Sequence, residues 1–169
     1  MIKGIMAVDE DFGIGMNDGK IPWHIKEDMW HFKKRTENSV VVMGRKTWDS
    51  IPEKFKPLPN RSNIILSKTM LNSDLPTHDC DHFVKICRDV CDVLSMFSTS
   101  HVDYYIMGGK QIYNCFSPYI NHWVITFIKG NYNCEVSMDG DFLNNSFILD
   151  SLAYLTDNAV VVDLIKYLK

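Results

Sequence analysis

Asp28 stands three residues after Ile25 and four before Phe32, at the edge of a stripe that Ile25, Met29, Phe32 and Thr36 form at helical spacing. A carboxylate there admits two readings. It is a first-turn acid stabilised by the helix dipole, or it faces an apolar cleft. In a cleft, desolvation raises its pKa, and it can accept two parallel hydrogen bonds from an amidine-like ring edge. Gly44-Arg45-Lys46-Thr47 is a second candidate. Basic residues in a first helical turn oppose the dipole, so either a phosphate supplies negative charge there or the turn is simply solvated. Gly108-Gly109-Lys110-Gln111 repeats that arrangement. It matches neither GxGxxG nor a Walker A sequence, and its glycines permit either a close ligand approach or a tight turn. Between Gly13 and Trp23 lie Gly13, Gly15 and Gly19, a composition that suits a mobile lid or a plain surface loop.

The elements that must position these residues follow from hydrophobic periodicity. Ile2–Val8 reads as a strand, Asp9–Ile21 as a glycine-rich loop, and Ile25–Thr36 as an amphipathic helix after Pro22. Val40-Val41-Val42-Met43 and Asn63-Ile64-Ile65-Leu66-Ser67 suit strands buried on both faces. A short helix is expected from Arg45, and residues 69–82 read as a polar loop. Ile86–Phe97 suits a helix, with Ile86, Val90, Val93 and Phe97 on one stripe. A strand over Asp103–Met107, a helix over Lys110–Phe116 and a strand over Trp123–Ile128 come next. Phe147–Tyr154 and Ala159–Tyr167, joined through Thr156-Asp157-Asn158, predict an antiparallel hairpin. Alternating strands and helices imply an α/β fold with a mostly parallel sheet, helices on its faces and an antiparallel C-terminal edge. Ligands of such sheets bind beyond the carboxyl ends of the strands, here after Val8, at Gly44 and at Gly108-Gly109.

The bulk properties narrow the function classes. The 169 residues fit one domain over positions 1–169, and 46% hydrophobic with 23% charged residues is an ordinary globular composition. A net charge of −3 offers no basic face for nucleic acid. No apolar run approaches a membrane span, and Asp9 follows the start too soon for a signal peptide. Five cysteines (Cys80, Cys87, Cys91, Cys115, Cys134), with no CxxC pair, argue against a disulfide framework or a zinc site. Cys87 and Cys91 could share a helix face as buried thiols. A cytoplasmic location without metal is expected, so Asn60-Arg61-Ser62 and Asn144-Asn145-Ser146 read as chance glycosylation matches.

Taken together, several segments resemble dihydrofolate reductase over nearly the whole chain. They are Ala7-Val8, Gly13-Ile14-Gly15, Ile21-Pro22-Trp23, Asp28 with Phe32, and Val42-Met43-Gly44-Arg45-Lys46-Thr47-Trp48. Then follow Ser50-Ile51-Pro52, Pro57-Leu58-Pro59-Asn60-Arg61, Asn63-Ile64-Ile65-Leu66-Ser67 and Gly108-Gly109 with Ile112-Tyr113. The resemblance implies a single domain built on a twisted central sheet of about eight strands flanked by helices. It implies NADPH-dependent reduction of 7,8-dihydrofolate, a monomer, and sensitivity to antifolate-type small molecules, with no nucleic-acid, membrane or obligate protein partner.

It also assigns roles. Asp28 would hold the pterin, supported by Thr126 through its hydroxyl and a water. Ile21, Trp23 and Tyr113 would border the reacting rings. Ile5, Met6, Met29, Phe32, Ile51, Leu58 and Met107 would line the pterin and benzoyl slot, and Arg61 would grip the glutamate α-carboxylate. Ala7, Ile14 and Gly15 would meet the nicotinamide. Gly44, Thr47 and the turn Gly108-Gly109 into Lys110, Gln111 and Ile112 would hold the pyrophosphate. Arg45, Lys46, Leu66, Ser67 and Lys68 would surround the adenosine 2′-phosphate. The Gly108–Gly109 bond is expected to be cis.

Two departures from the family pattern concern the lid. It carries one more residue between Gly15 and Pro22 than the pattern predicts, and Glu135-Val136 stands where an Asp-Thr pair is expected. Asn60 replaces a common Gly, and Asn tolerates a left-handed turn. Two rival readings are the NADPH-dependent reductase of riboflavin biosynthesis, which would not need Asp28, Phe32 and Arg61 in one slot, and a silent folate- or NADPH-binding module.

Overall fold

A computed structural model describes residues 1–76, 82–139, 143 and 147–167. Cys80 and the Asn144-Asn145-Ser146 match lie outside the described residues. The described strands are β1 (Ile2–Val8), β2 (Gly13–Gly15), β3 (Val40–Gly44), β4 (Ser62–Leu66), β5 (Val84–Cys87), β6 (Tyr104–Ile106), β7 (His122–Ile128), β8 (Val136–Ser137), β9 (Phe147–Thr156) and β10 (Ala159–Lys166). The helices are α1 (Lys26–Thr36), α2 (Arg45–Ser50), α3 (Val90–Ser98) and α4 (Lys110–Phe116).

Eight strands form one sheet in the order β5-β4-β3-β6-β1-β7-β10-β9, and β2 pairs separately with β8. From β5 to β7 all neighbours are parallel, whereas β10 runs antiparallel to both β7 and β9. Parallel strands send their carboxyl ends to one edge, so Val8, Gly44, Leu66 and Ile106 all end there. That edge, beside the inserted strand β6, is where such a sheet leaves a crevice.

The strand period of two divides the core between the two faces. Met6, Val8, Val42, Ile64, Ile106 and Ile125 face one way and pack with Val93 of α3 and Phe116 of α4. Ile5, Val41, Met43, Ile65, Tyr105, Val124 and Val161 face the other way, towards Phe32 of α1 and Trp48 of α2. Gly4 is required on the first face, because a Cβ there would lie 2.2 Å from the Trp123 ring.

Three expectations need correction. The stripe that begins at Ile86 is not one helix, because Ile86 belongs to β5 and α3 starts at Val90. Asp89 caps α3 by accepting from the Asp92 N–H at 3.0 Å, and this local hydrogen bonding overrides a periodicity that also fits a strand. Cys87 therefore closes a strand, and Cys91 is exposed; Cys115 is also exposed and Cys134 half-buried, leaving Cys87 as the buried thiol among the described residues. The loop after β1 is not wholly irregular, since Gly13–Gly15 forms β2 against Val136–Ser137.

A candidate active site at the carboxyl edge

Asp28 lies in the first turn of α1, and its burial there is almost complete at 9% exposed. Burial pushes its carboxyl pKa above the ordinary value; a hydrogen bond with Thr126 of β7 and the nearby His31 imidazole pull the other way. The sheet thus places Thr126 beside Asp28. Phe32, Ile51, Leu58 and Met107 are half-buried beside Ile5 on this face and form an apolar wall next to the acid. Met29 is 54% exposed on α1 and Ile21 is exposed at the lid. Met6 points to the opposite face, because Ile5 and Met6 alternate on β1, so its side chain does not join the slot.

Arg61 is positioned by the loop that precedes β4. Asn63 stitches that loop: its side chain accepts from Leu58 N–H at 3.0 Å and donates to the Leu58 and Arg61 carbonyls at 3.1 and 2.8 Å. Asn60 adopts the left-handed region at φ 58°. Arg61 is 4% exposed. Its Nε donates to the Pro59 carbonyl at 3.0 Å, its Nη1 donates to the Thr36 hydroxyl at 3.0 Å, and its guanidinium lies 5.7 Å from the Phe32 ring centre. Burial lowers its pKa from arginine's ordinary value, opposed only by the through-space charge of Glu37. A buried cation held by neutral oxygens is electrostatically incomplete, and a carboxylate is the group that completes it.

The other half of the crevice is built mainly from backbone. Gly44 N–H donates to the Gly108 carbonyl at 2.8 Å, which brings the starts of α2 and α4 side by side. Neither helix has a side-chain cap at its N-terminus, Gly44 or Gly109. The Gly108–Gly109 peptide is cis. A Cβ on Gly109 would meet only the Thr47 hydroxyl, at 3.7 Å, so this turn offers open backbone. Gly108, at φ +106°, lies against the Tyr113 ring. Tyr113 is buried and donates its hydroxyl to the Ile5 carbonyl at 2.8 Å, and burial pushes its pKa well up. It therefore acts as a neutral prop beneath β1. Ile112 is buried and Gln111 exposed.

Arg45, Lys46 and Lys68 are exposed at this end, while Ser67 is buried and Leu66 half-buried. The Arg45 Nη1 donates to the Thr69 hydroxyl at 3.1 Å, and its Nε lies 3.4 Å from Asp49. Sequence reasoning missed Arg88, whose Nη1 donates to the Ser67 and Met70 carbonyls at 2.8 Å each and so holds the turn carrying Lys68. The signal available was an isolated basic residue between a strand and the Asp89 cap.

The lid docks at three points. Gly13 and Gly15 pair with β8. Asn17 N–H donates to the Glu135 carboxylate at 2.8 Å. Gly19, at φ +88°, approaches the Lys46 carbonyl so closely that a Cβ would lie 2.7 Å from it. Ala7 and Ile14 are half-buried beside this lid. Trp23 is buried beside Tyr132, and its indole N–H has no partner among the described residues. A buried donor without a partner is a place for a bound water or ligand. Asp9 was also missed. Its Oδ1 accepts from Asp11 and Gly13 N–H at 3.0 and 2.8 Å, and its Oδ2 accepts from Tyr132 N–H at 3.1 Å. Burial would raise its pKa, but these three bonds and the Cys134 thiol bring it below the ordinary carboxylate value.

Among the described residues, no cluster of three or more His, Cys, Asp or Glu could hold a metal ion, and no helix is long and apolar enough to cross a membrane. Residues 1–159 match the family model described as dihydrofolate reductase. A dihydrofolate reductase of Ureaplasma parvum is 36% identical over 150 residues, spanning 89% of this chain and 88% of the relative. One of Saccharomyces cerevisiae is 33% identical over 151 residues, covering 82% of this chain and 70% of the relative. The dihydrofolate reductase type 9 of Escherichia coli is 31% identical over 158 residues, 91% of this chain and 85% of the relative.

Proposed function

The chain belongs to the dihydrofolate reductase family and is an oxidoreductase that reduces dihydrofolate; from that premise we propose that NADPH is its hydride source and that Asp28 is the ionisable group of its pterin slot. The buried Asp28 carboxyl beside an apolar wall carries this reading. A nicotinamide cofactor, when bound, supplies hydride to C6 of the pterin.

The chain's own residues bind and orient. Asp28 accepts from the 2-amino group and N3 of the pterin, which fixes the ring and favours its protonated form electrostatically. It stands at the far edge from N5, so a water carries the proton there. Phe32, Ile51, Leu58 and Ile5 exclude bulk solvent from the ring, and the Arg61 guanidinium pairs with the α-carboxylate of the glutamate tail. The uncapped starts of α2 and α4, with the open backbone at Gly109, fit a pyrophosphate. Arg45, Lys68 and Ser67 fit a 2′-phosphate, which is the basis for NADPH rather than NADH. Trp23, Ile21 and the lid close over the rings. We further propose one catalytic domain over 1–169, acting as a cytoplasmic monomer in one-carbon metabolism and thymidylate synthesis, open to antifolate-type inhibitors.

The test is loss of NADPH absorbance on adding dihydrofolate, blocked by a diaminopyrimidine. Turnover that survives intact in D28N would overturn the assignment of Asp28. Binding of both compounds without turnover would mark a silent module.

A further inference from the structure

Behind Asp28 the interface between α1 and the sheet is polar, which the apolar wall beside it does not require. Asp28, His31 and Arg35 lie at i, i+3 and i+7 and so share one face of α1. The sheet answers with its own polar file. Thr126 and His122 lie on the same face of β7 as Val124, and Val124 pairs with Asp163 of β10. Asp163 is buried, and it accepts from Arg35 Nη2, from His122 Nε2 at 2.7 Å and, at Oδ2, from the Ser151 hydroxyl of β9 at 3.1 Å.

The two files match in length. Asp28 to Arg35 spans about 10 Å of helix, and Thr126 to His122 spans about 13 Å of strand. Asp28 meets Thr126 at one end and Arg35 meets Asp163 near the other. His31 is half-buried between them.

We infer that His31 is an electrostatic positioning residue for Asp28, an imidazole whose charge answers the Asp28 carboxylate in front of it and the Asp163 cluster behind. The groups that act on His31 have opposite signs. Burial and the Arg35 guanidinium disfavour its proton, whereas Asp28 and Asp163 favour it. His122 stands on the far side of Asp163, and β9 contributes the neutral Ser151. Burial, the His122 bond, the Arg35 charge and the Ser151 bond act together on Asp163, with the last three outweighing burial to hold its pKa low. Asp163 therefore stays ionised at a pH where an ordinary carboxyl takes up its proton. As the medium becomes more acidic, His31 gains a proton and opposes protonation of Asp28. The slot thus keeps its carboxylate charged to lower pH than burial alone allows.

The inference rests on Asp28 being the acid of the pterin slot, but its first test uses the free protein and no ligand. Carboxyl-carbon NMR follows the Asp28 titration in wild type, H31Q and H31K, with a melting curve for each. The midpoint moves up in H31Q and down in H31K. A diaminopyrimidine at acidic pH then binds about threefold more weakly to H31Q than to wild type. Coupling is reciprocal, so the His31 imidazole midpoint falls in D28N, a variant that keeps both shape and size. Midpoints that move the same way in H31Q and H31K, or do not move, mark His31 as structural and overturn the inference. So does an imidazole titration unchanged in D28N. Should either His31 variant fail to fold, the wild-type and D28N pair decides alone. Normal turnover in D28N would instead count against the proposed function and leave the coupling standing.

Discussion

The two halves of the crevice meet at Gly44 and Gly108 but are made of different materials. On the α1 side, charged side chains are buried and held: Asp28 against Thr126, and Arg61 between Thr36 and Pro59. On the α2 and α4 side, Arg45, Lys46 and Lys68 are exposed and backbone ends face the crevice. Buried charges cost desolvation, and a ligand that pairs with them in place recovers that cost with high selectivity. Exposed cations and free N–H groups bind anions with less discrimination and more sensitivity to salt. Under the proposed function, one half would take a particular ring and tail, and the other phosphates.

The largest test of this contrast is Asp28→Asn. Hydride transfer at neutral pH should fall about 10²- to 10⁴-fold, read by single-turnover kinetics; a near-normal rate would erase the distinction between the halves. The same substitution should stabilise the fold. A carboxyl whose folded pKa is raised adds stability below its ordinary pKa and loses it as pH rises through the folded value. Above that folded value wild type carries an ionised buried acid, and there D28N should melt about 2–4 °C higher. A melting point unchanged or lowered would mean that Asp28 is solvated.

Arg61→Ala comes next, with dihydrofolate binding weaker by about 10- to 150-fold and NADPH binding almost untouched. Equal losses in both ligands, measured by titration calorimetry, would show that Arg61 supports the site as a whole. On the other half, Arg45→Ala with Lys68→Ala should cut the preference for NADPH over NADH about tenfold, and the wild-type preference should shrink as salt is added. Selectivity that ignores both changes would place the 2′-phosphate elsewhere. The smallest effect belongs to Glu135→Ala. Its bond to Asn17 is exposed, so turnover should change about two- to fivefold through lid opening; a change of orders of magnitude would make the lid contact part of the chemistry.

Much of this arrangement was legible in the sequence because it rests on local rules. The continuous apolar runs at Val40–Met43 and Asn63–Ser67 read as interior strands, and α4 begins and ends where expected, at Lys110 and Phe116. What escaped depended on tertiary pairing. Ile86 fits a helical stripe and a buried strand equally well, and only the Asp89 cap decides. Gly13–Gly15 is a strand because Val136–Ser137, more than a hundred residues away, lies beside it. Asp28 could be read as a dipole-stabilised surface acid until Thr126 closed over it. His31 and Asp163 carried no motif at all, since their relation exists only through the crossing of α1 over β7 and β10. Arg88 likewise acts on backbone groups that no spacing rule connects to it, and the Asp9 bond to Tyr132 is of the same kind, whereas its bonds to Asp11 and Gly13 are local.

Asp9 fixes where the lid can bend. Its carboxylate clamps the chain on both sides of the turn that leaves β1 and ties it to Tyr132. Residues up to Gly15 are thus tied to the sheet and to β8, and Met16–Lys20 form the tip beyond them. If the segment between Gly15 and Pro22 is one residue longer than the family pattern, as the resemblance implies, the added length falls beyond the Asp9 clamp and leaves the fulcrum in place.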